Sequence, residues 1–402
     1  MATTNSIFSN HGEVADWSFP ELSNSGLHAF HWYPATYLAA IPGTLIARVS
    51  QPGDLIVDPF NGSGTTGLES IRLGRRFIGI DTNPIALLIT QAKLSFPTAK
   101  SLQAELKRIA SDCDPIFGRP TVSAHPRESE LLGWYHPKTF YDLNKILASI
   151  LQTPSENIKL CLLAVFSSIL KNASSQGRHW GWVCDNVKPR EGEIVFKDAL
   201  QLFLAAVNDY ALDADSAFKS SQLHTDGLTR SVARSMSKLH LGTCVERLNS
   251  FPVQSIDAII TSPPYYGVAD YVKAQRLSFL WLDKDELAKD FLGFRFFEQL
   301  RSTEAGARSN RHRKSSHTDY LSFIESFFQA SARALKDRAI MALVVGESGS
   351  RESTTNALIE LAAAAKFALI SRGSRSIRQN RRRLMAKVKG EDVLIFQNQI
   401  LS

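Results

Sequence analysis

The chain has 402 residues, a formal net charge of +7 and a hydrophobic fraction of 44%. That length allows one large domain with a sizeable insertion, or two domains, and the apolar content is enough for a complete core. No run of eighteen apolar residues occurs and the first residues lack an export-signal pattern, which argues against a membrane protein and against secretion. The four cysteines show no spacing typical of zinc or disulfide sites, so we expect a cytoplasmic protein without a metal.

The first chemical signal along the chain is a glycine-rich turn. A short apolar strand at residues 54–58 runs into this turn and then into a helix. Gly62 and Gly64 let the backbone pass close to a bound cofactor, and the helix N-terminus favours a negative group. The next strand, residues 76–80, ends in Asp81, whose carboxylate is placed to accept both hydroxyls of a ribose.

Two cofactors are compatible with this turn. Gly62, Gly64 and Gly67 satisfy the G-x-G-x-x-G spacing of dinucleotide enzymes, which is a weak signal on its own. Asp58 ends the first strand, where a dinucleotide fold is usually apolar, and its carboxylate could meet the ammonium group of S-adenosylmethionine. S-adenosylmethionine is the favoured cofactor, and a nicotinamide dinucleotide oxidoreductase remains the alternative.

The middle and the end of the chain differ in their patterns. Residues 97–238 are mostly helical by their 3.6-residue periodicity, whereas strands alternating with helices resume at residues 256–260 and 339–345 and close with a pair near 366–371 and 391–397. This alternation predicts an α/β fold, a doubly wound and mostly parallel sheet with a mainly helical insertion. We divide the chain into a flexible arm (1–27), a cofactor-binding half of the catalytic domain (28–96), the insertion as a candidate target-recognition region (97–238), and a catalytic half with basic loops (239–402).

The strand at residues 256–260 delivers Ser262, Pro263, Pro264 and Tyr265 to its carboxyl end. The prolines fix φ and supply no N–H, so the carbonyls of Ser262 and Pro263 can face outward. A carbonyl and the Ser262 hydroxyl can accept hydrogen bonds from an exocyclic amino group, while Tyr265 offers a ring for stacking. This pocket suits chemistry on the amino nitrogen of a nucleobase and strengthens the case for S-adenosylmethionine. For the tetrapeptide alone, a proline-rich turn closing a buried strand is the alternative.

Methylation of carbon 5 of cytosine is disfavoured by the cysteines. That chemistry needs a thiolate nucleophile in a loop where cysteine follows proline, and none of the four cysteines follows a proline. An amino nitrogen needs no covalent intermediate, because the sulfonium methyl group is already electrophilic and the enzyme need only align the reacting atoms.

At its two motifs the chain resembles the amino-methylating DNA methyltransferases. Residues 58–66 look like the cofactor motif of that family and residues 261–265 like its catalytic motif, in the Ser-Pro-Pro-Tyr form of the cytosine-N4 enzymes. The resemblance implies a Rossmann-like, S-adenosylmethionine-dependent enzyme that methylates N4 of a flipped-out cytosine at specific sites in double-stranded DNA. It also makes a cognate restriction endonuclease a candidate partner.

The predicted site residues fall into two groups. The catalytic group is Ser262, Pro263, Pro264 and Tyr265. The cofactor-binding group is His31, Tyr33, Pro34, Asp58, Pro59, Phe60, Gly62, Ser63, Gly64, Thr65, Thr66, Asp81 and Thr243. In this group, His31, Tyr33 and Pro34 belong to a segment that resembles the family's methionine-binding helix, and Thr243 stands where the family often has an acid.

Two arginine-rich stretches, residues 295–314 and 372–383, favour contact with phosphates. A solvated charged surface is the alternative for each. The predicted DNA contacts are Arg308, Arg311, Arg313, Lys314, Arg378, Arg381 and Arg382.

Three other functions stay open beside cytosine-N4 methylation. Adenine-N6 methylation is the nearest, because serine can also accept from an adenine amino group. Methylation of an RNA base amino group and a non-catalytic DNA-binding module follow. The order of the motifs gives no recognition sequence.

Overall fold

The computed structural model describes residues 17–19, 21–114, 123–176, 188–284, 287, 295–310, 313, 315–347, 352–376 and 390–399. The strands in these ranges are β1 (Leu55–Asp58), β2 (Arg76–Asp81), β3 (Ser237–Leu241), β4 (Ile256–Thr261), β5 (Leu335–Glu347), β6 (Phe367–Ser376) and β7 (Gly390–Asn398). They form one seven-stranded sheet in the order β3-β2-β1-β4-β5-β7-β6. Neighbouring strands are parallel except that β7 is antiparallel to β5 and β6. The predicted doubly wound, mostly parallel sheet is confirmed.

Helices cover both faces of this sheet and form the insertion. They are α1 (Ala40–Val49), α2 (Thr65–Arg72), α3 (Pro84–Ser95), α4 (Ala99–Asp112), α5 (Glu128–Leu131), α6 (Pro137–Leu151), α7 (Glu156–Ala173), α8 (Ala199–Gln222), α9 (Arg230–Ser235), α10 (Cys244–Ser250), α11 (Arg276–Trp281), α12 (Arg295–Thr303), α13 (Ser316–Ala334) and α14 (Glu352–Ala364). Among the helices so described, none is long and apolar enough to cross a membrane.

The order of the sheet reverses between β1 and β4. Val57 of β1 pairs with Ile78 of β2 on one side and with Ile259 of β4 on the other. Val57 and Ile259 are fully buried, as expected for central strands rich in β-branched residues. Because these strands are parallel, their carboxyl ends meet at one edge of the sheet, where folds of this kind bind ligands.

The helical insertion lies between β2 and β3, as predicted, and packs closely on the cofactor-binding half. The Tyr210 hydroxyl of α8 donates to the carbonyl oxygen of Ala92 in α3 at 2.8 Å. The Arg230 guanidinium donates to the carbonyl oxygen of Phe96 at 3.1 Å. One hydrophobic core runs through both parts and includes Ile85 of α3 and Trp134 of the insertion. We therefore expect the insertion to fold together with that half.

The expectation of a flexible arm at residues 1–27 is wrong for the part of it that the structure describes. The Trp17 side chain is buried, and its backbone N–H donates to the carbonyl oxygen of Ser374 in β6. The Trp17 and Phe19 rings meet edge to face, and Leu27 is buried in the main core. Burial of these apolar side chains holds residues 17–19 and 21–27 against the domain.

Lys93 is a buried cation within α3. Its side chain is fully buried, and its amino group has no hydrogen-bond partner. Burial lowers the pKa of this amino group from 10.5 to about 7. At a pH between about 7 and 10.5, the Lys93 amine is protonated in the unfolded chain but mostly neutral in the folded protein. The free energy of unfolding should therefore rise as the pH rises through this range.

Replacing this residue, Lys93→Met, should stabilise the protein. Methionine fills a similar volume without a desolvated amine, and we expect a gain of about 1 to 3 kcal/mol in the free energy of unfolding at neutral pH. The gain should shrink as the pH is raised. Urea unfolding of both proteins at neutral and alkaline pH measures it, and a destabilised variant would show that the amine has a stabilising partner.

Candidate active site

A cavity of about 440 Å³ opens at the carboxyl ends of β1, β2 and β4. It brings together the two sequence motifs and the segment that precedes α1. The predicted site residues that line it are Tyr33, Pro34, Pro59, Phe60, Gly62, Ser63, Thr65, Asp81, Thr243, Ser262 and Pro264. The cavity is large enough for a nucleoside-sized ligand, since such sites measure roughly 300 to 1,000 Å³.

The glycine-rich turn forms one wall of the cavity. Gly62 and Gly64 have φ values of 49° and 75°, a region that residues with side chains rarely adopt. A Cβ atom at Gly64 would lie 2.5 Å from Cγ2 of Thr90, so α3 leaves no room there. The Asn61 amide donates to the Thr90 hydroxyl at 2.7 Å and anchors the turn. Gly62 faces the cavity, whereas Gly64 serves the packing behind it.

Asp81 joins this turn to the end of β2. Its Oδ2 accepts the backbone N–H of Gly62 at 2.8 Å, and its Oδ1 accepts that of Asn83 at 2.8 Å. Burial raises the pKa of Asp81 to about 6, although these two amides favour the ionised form. The carboxylate also lines the cavity, where its remaining lone pairs can accept hydroxyl groups.

Asp58 does not reach the cavity, and its predicted contact with an ammonium group is wrong in this geometry. The side chain is 1% exposed. Its Oδ2 accepts the Thr66 hydroxyl at 2.6 Å, and its Oδ1 accepts the Thr261 hydroxyl and the backbone N–H of Phe60. Burial raises the pKa of Asp58 to about 6. The carboxyl group therefore ties β1, β4 and the start of α2 together behind the cavity wall, and Thr66 acts there with it.

Ser262 faces the cavity from the end of β4. Its hydroxyl lies 3.1 Å from the carbonyl oxygen of Val344 and 3.2 Å from the Tyr265 hydroxyl, and its single proton can go to either. The oxygen keeps lone pairs for a donor inside the cavity. Pro264 also lines the cavity, and its carbonyl accepts the Tyr320 hydroxyl at 3.0 Å. Pro263 is buried behind both.

The ring of Tyr265 is not available for stacking in this structure. It is 4% exposed and does not line the cavity. The ring packs on Gly346 of β5, where an added Cβ would come within 2.7 Å of it. Its hydroxyl donates to Oε1 of Glu391 at 3.2 Å. The stacking role predicted for Tyr265 is therefore wrong here, and the residue supports Ser262 from behind.

The segment before α1 meets the cavity through Tyr33 and Pro34 but not through His31. The His31 ring is hydrogen-bonded to the Ser167 hydroxyl of α7 at 2.9 Å and to the carbonyl oxygen of Trp32 at 2.8 Å. Burial lowers the pKa of His31 to about 4, so the ring is neutral at physiological pH. His31 fixes the segment to the insertion, and its predicted cofactor contact is not formed.

Thr243 lies at the far side of the cavity and caps α10. Its hydroxyl donates to the Glu246 carboxylate at 2.7 Å and accepts the backbone N–H of the same residue. At the position where the family often has an acid, this chain therefore has a hydroxyl that is already hydrogen-bonded.

The sequence did not predict a further wall, which comes from the segment after β4, from the region between α12 and α13, and from the first turns of α13. Its side chains include Tyr271, Glu304, Arg313, Asp319 and Tyr320. Backbone hydrogen bonds join the two segments, from Gly267 N–H to the Gly306 carbonyl and from Arg308 N–H to the Ala269 carbonyl. These are tertiary contacts without a local sequence pattern. The two glycines, Gly267 and Gly306, are the sequence signals of tight turns here, and their φ values are 65° and 66°.

Two of the predicted DNA-contacting residues lie in described ranges. Arg313 lines the cavity, and Arg308 lies on the segment that forms its wall. The other five, Arg311, Lys314, Arg378, Arg381 and Arg382, lie outside the described residues. Within the ranges described, no group of three His, Cys, Asp or Glu side chains is arranged to hold a metal ion.

Comparison with known proteins links this site to DNA methylation. The sequence profile of the N6/N4 DNA methylase family matches residues 7–92, which include the glycine-rich turn and Asp81. The type II methyltransferase M.MvaI of Kocuria varians is 24% identical over 271 residues, covering 64% of this chain and 57% of the relative. M.BsoBI of Geobacillus stearothermophilus is 27% identical over 293 residues, covering 67% and 55%. The chain is thus similar to amino-group DNA methylases over its cofactor-binding segment, and to type II methyltransferases over about two thirds of its length.

The chain spans a little over half the length of these two relatives. A solved structure described as a SAM-dependent methyltransferase, from Methanosarcina mazei, covers 92% of this chain and 99% of its own at 10% identity. Its TM-score is 0.33, a value too low to support any conclusion.

The cavity fits S-adenosylmethionine, the cofactor of the amino-group DNA methyltransferase family. Asp81 offers carboxylate lone pairs at the end of β2, where a ribose is bound in folds of this type. Among the described lining residues, Asp81, Glu304 and Asp319 carry carboxyl groups against the one guanidinium of Arg313. An acidic excess of this kind suits a cofactor with two cationic groups.

Proposed function

We propose that the protein transfers the methyl group of S-adenosylmethionine to the exocyclic N4 amino group of a cytosine at specific sites in double-stranded DNA. The observation that carries this is the shared cavity, with the glycine-rich turn and Asp81 on one side and Ser262 and Pro264 on the other. One wall suits the nucleoside of the methyl donor and the other suits an amino group. Holding both in one space supplies most of what this reaction needs.

The residues around the cavity would position the acceptor nitrogen and stabilise the transition state. The cofactor supplies an electrophilic methyl group, so the protein has to align the acceptor nitrogen and exclude competing geometries. The target cytosine must leave the helical stack, because its N4 cannot reach the cavity from within a duplex. The Ser262 hydroxyl accepts a hydrogen bond from N4, and the carbonyl of Pro263, a residue whose side chain is buried, remains the predicted second acceptor. These bonds strengthen as the nitrogen gains positive charge, which stabilises the transition state more than the ground state.

The serine at the first position of the catalytic motif supports cytosine N4 as the acceptor, as in the enzymes that this motif resembles. Adenine N6 is the second candidate, because the same hydroxyl and carbonyl can accept from its amino group. The type II methyltransferase names of the two relatives support a modification role beside a restriction endonuclease. Such a pair would act on DNA in the cytoplasm.

DNA contact is supported by the position of Arg313 on the cavity wall and of Arg308 near it. Guanidinium groups at the mouth of the site would hold the phosphates that flank an extruded base. Residues outside the described ranges, among them Arg378 and Arg381, remain predicted phosphate contacts. Residues 97–238 remain the predicted target-recognition region.

Modified-nucleoside analysis tests the function directly. The gene is expressed in cells without DNA methylation of their own, and their DNA and RNA are hydrolysed and analysed by mass spectrometry. N4-methylcytosine in DNA is the expected product. N6-methyladenine alone would identify the second candidate, and methylated bases only in RNA would identify the third. No modified base together with no binding of S-adenosylhomocysteine would leave a DNA-binding module.

Asp81→Asn should weaken cofactor binding without removing the fold. Asparagine keeps the shape of the side chain but replaces one acceptor oxygen by a donor group, so the ribose hydroxyls and one of the two backbone N–H groups, of Gly62 or of Asn83, lose an acceptor. We expect the dissociation constant for S-adenosylhomocysteine to rise by about tenfold to a hundredfold. Asp54→Asn, at the opposite end of β1 and bonded to the Gln51 amide, is the matched control. Unchanged binding in the Asp81 variant, measured by calorimetry, would contradict the assignment.

A further inference from the structure

Glu304 is a carboxyl group in the cavity to which no sequence motif assigned a role. It is the first residue after α12 and lines the same space as Asp81 and Ser262. Its Oε1 accepts the backbone N–H of Tyr271 at 2.5 Å. The Glu304 carboxyl group is therefore held inside the cavity at the ends of the central strands, and this position indicates a role in ligand binding.

The chain around Glu304 is fixed by backbone hydrogen bonds. Gly267 N–H donates to the Gly306 carbonyl at 2.7 Å, and Ser309 N–H donates to Oδ1 of Asp270 at 2.8 Å. Gly306 adopts a φ of 66°, and a Cβ there would lie 3.0 Å from the Tyr320 ring and 3.3 Å from the backbone of Tyr266. The turn is therefore tight and packed on both sides. Such a wall holds a carboxylate at a fixed place, which is what recognition of a small cation requires.

Glu304 shares the cavity with two residues of the predicted cofactor site, Tyr33 and Asp81. The charges of Asp81 and Glu304 both raise the pKa of the Tyr33 phenol, after burial as the main cause. Tyr33 precedes α1, and Asp81 marks the ribose position. Asp58, the acid first expected to meet the ammonium group, has its oxygens occupied by Thr66 and Thr261 behind the wall.

On the basis of the proposed function, we infer that Glu304 binds the α-ammonium group of S-adenosylmethionine. An ammonium group donates hydrogen bonds to a carboxylate, whereas a sulfonium has no proton to donate. The contact would therefore be made equally to S-adenosylhomocysteine, which keeps the ammonium and lacks the methyl group. It would be absent for 5′-methylthioadenosine, which has the same ribose and base but no amino acid part.

Binding of the ammonium group should release a proton near neutral pH. Burial raises the pKa of Glu304 to about 8, and the charges of Asp270 and Asp81 act in the same direction, while the Tyr271 and Val272 amides oppose them. The titratable or charged groups that line the same cavity or act on this pKa are Asp81 from β2, Asp270 and Tyr271 from the segment after β4, Tyr33 from the segment before α1, Arg313 from just before α13, and Asp319 from α13. Glu304 is thus mostly protonated at pH 7 in the free protein and ionises when a cation binds.

Calorimetric titration of the full-length protein and of Glu304→Gln with three probes tests the assignment. Glutamine keeps an oxygen for the Tyr271 N–H but carries no charge. We expect S-adenosylmethionine and S-adenosylhomocysteine to bind the variant about tenfold to a hundredfold more weakly, by similar factors. Binding of 5′-methylthioadenosine should be unchanged. Titration at pH 7 in buffers of different ionisation enthalpy should show proton release for the wild type and clearly less for the variant.

Glu298→Gln is the matched control. Glu298 lies on α12, is 67% exposed and pairs with Arg301 on the same helix, so its loss should change none of the three affinities. Equal binding of S-adenosylhomocysteine to wild type and Glu304→Gln would overturn the assignment while leaving the proposed function intact. An equal loss of affinity for 5′-methylthioadenosine would also overturn the assignment, because it would show that the substitution disrupts the cavity as a whole. A wild type that binds none of the probes would instead refute the proposed function.

Discussion

Ser262→Ala is expected to lower the rate of methyl transfer by about a hundredfold to a thousandfold, as the loss of a single oriented hydrogen-bond partner does in other enzymes. The hydroxyl stands at the end of β4, inside the cavity, with its proton directed to Val344 or Tyr265. Its lone pairs are then free to accept from the amino group. Alanine removes this acceptor from the side where positive charge develops in the transition state.

Cofactor binding should survive the same substitution. The hydrogen bonds of the Ser262 hydroxyl go to Val344 and Tyr265 and not to the glycine-rich turn or Asp81, so calorimetry should give an affinity for S-adenosylhomocysteine within about twofold of wild type. Ser255→Ala is the matched control, because its exposed hydroxyl bonds only to the Pro252 carbonyl before the same strand. A single-turnover assay with labelled cofactor measures the rate. Full activity in Ser262→Ala, or an equal loss of binding and rate, would contradict the role given to the serine.

Gly64→Ala is expected to destabilise the fold by about 2 to 5 kcal/mol and to abolish cofactor binding. Two separate effects contribute. An alanine at a φ of 75° costs roughly 1 to 2 kcal/mol in backbone strain. Its Cβ would also lie 2.5 Å from the fully buried side chain of Thr90, and overpacking of this kind costs about 1 to 3 kcal/mol. Relief of the clash would shift the turn that carries Gly62 into the cavity wall.

Gly53→Ala separates the two effects. Gly53 has a φ of 89°, but a Cβ there would meet nothing within 4 Å. The Gly53→Ala control should be destabilised by backbone strain alone and should bind the cofactor normally. Chemical unfolding of both variants gives the comparison. Equal destabilisation would show that the contact with Thr90 contributes nothing, and an active Gly64→Ala enzyme would show that the turn is not part of the cofactor site.

The sequence predicted the sheet and the meeting of its two motifs because those features depend on local patterns. Short runs of β-branched residues such as Ile56 and Ile259 give buried parallel strands, and parallel strands bring their carboxyl ends to one edge. The residues that follow two adjacent strands, Gly62 and Ser262, therefore had to lie near each other. The antiparallel direction of β7 was not predicted, since a closing pair of strands at the end of a chain can join the sheet either way.

The direction of individual side chains could not be predicted in the same way. Asp58 ends β1 and could point to the cavity or to the interior, and the hydroxyls of Thr66 and Thr261 decide for the interior. Tyr265 follows two prolines and turns inward because Gly346 leaves space for its ring and Glu391 accepts its hydroxyl. Each outcome depends on partners from distant parts of the chain.

The position of Glu304 also depends on partners from a distant part of the chain. Its own neighbourhood in sequence reads as a basic, polar stretch, and only its pairing with the segment after β4 carries it to the site. A positive φ at Gly306 indicates a turn but does not say where the turn packs. Active-site residues supplied by such a connection become visible only in the folded structure.

A crystal structure of the protein with S-adenosylhomocysteine is the most direct test of a single cavity that holds both reactants. We expect the ribose hydroxyls within hydrogen-bond distance of the Asp81 carboxylate, the amino acid part beside Tyr33, and the sulfur atom directed toward Ser262. In this orientation, the methyl group that S-adenosylmethionine carries on its sulfur atom would point toward the acceptor nitrogen beside Ser262. A ligand bound elsewhere, or one with its sulfur turned away from the end of β4, would contradict it.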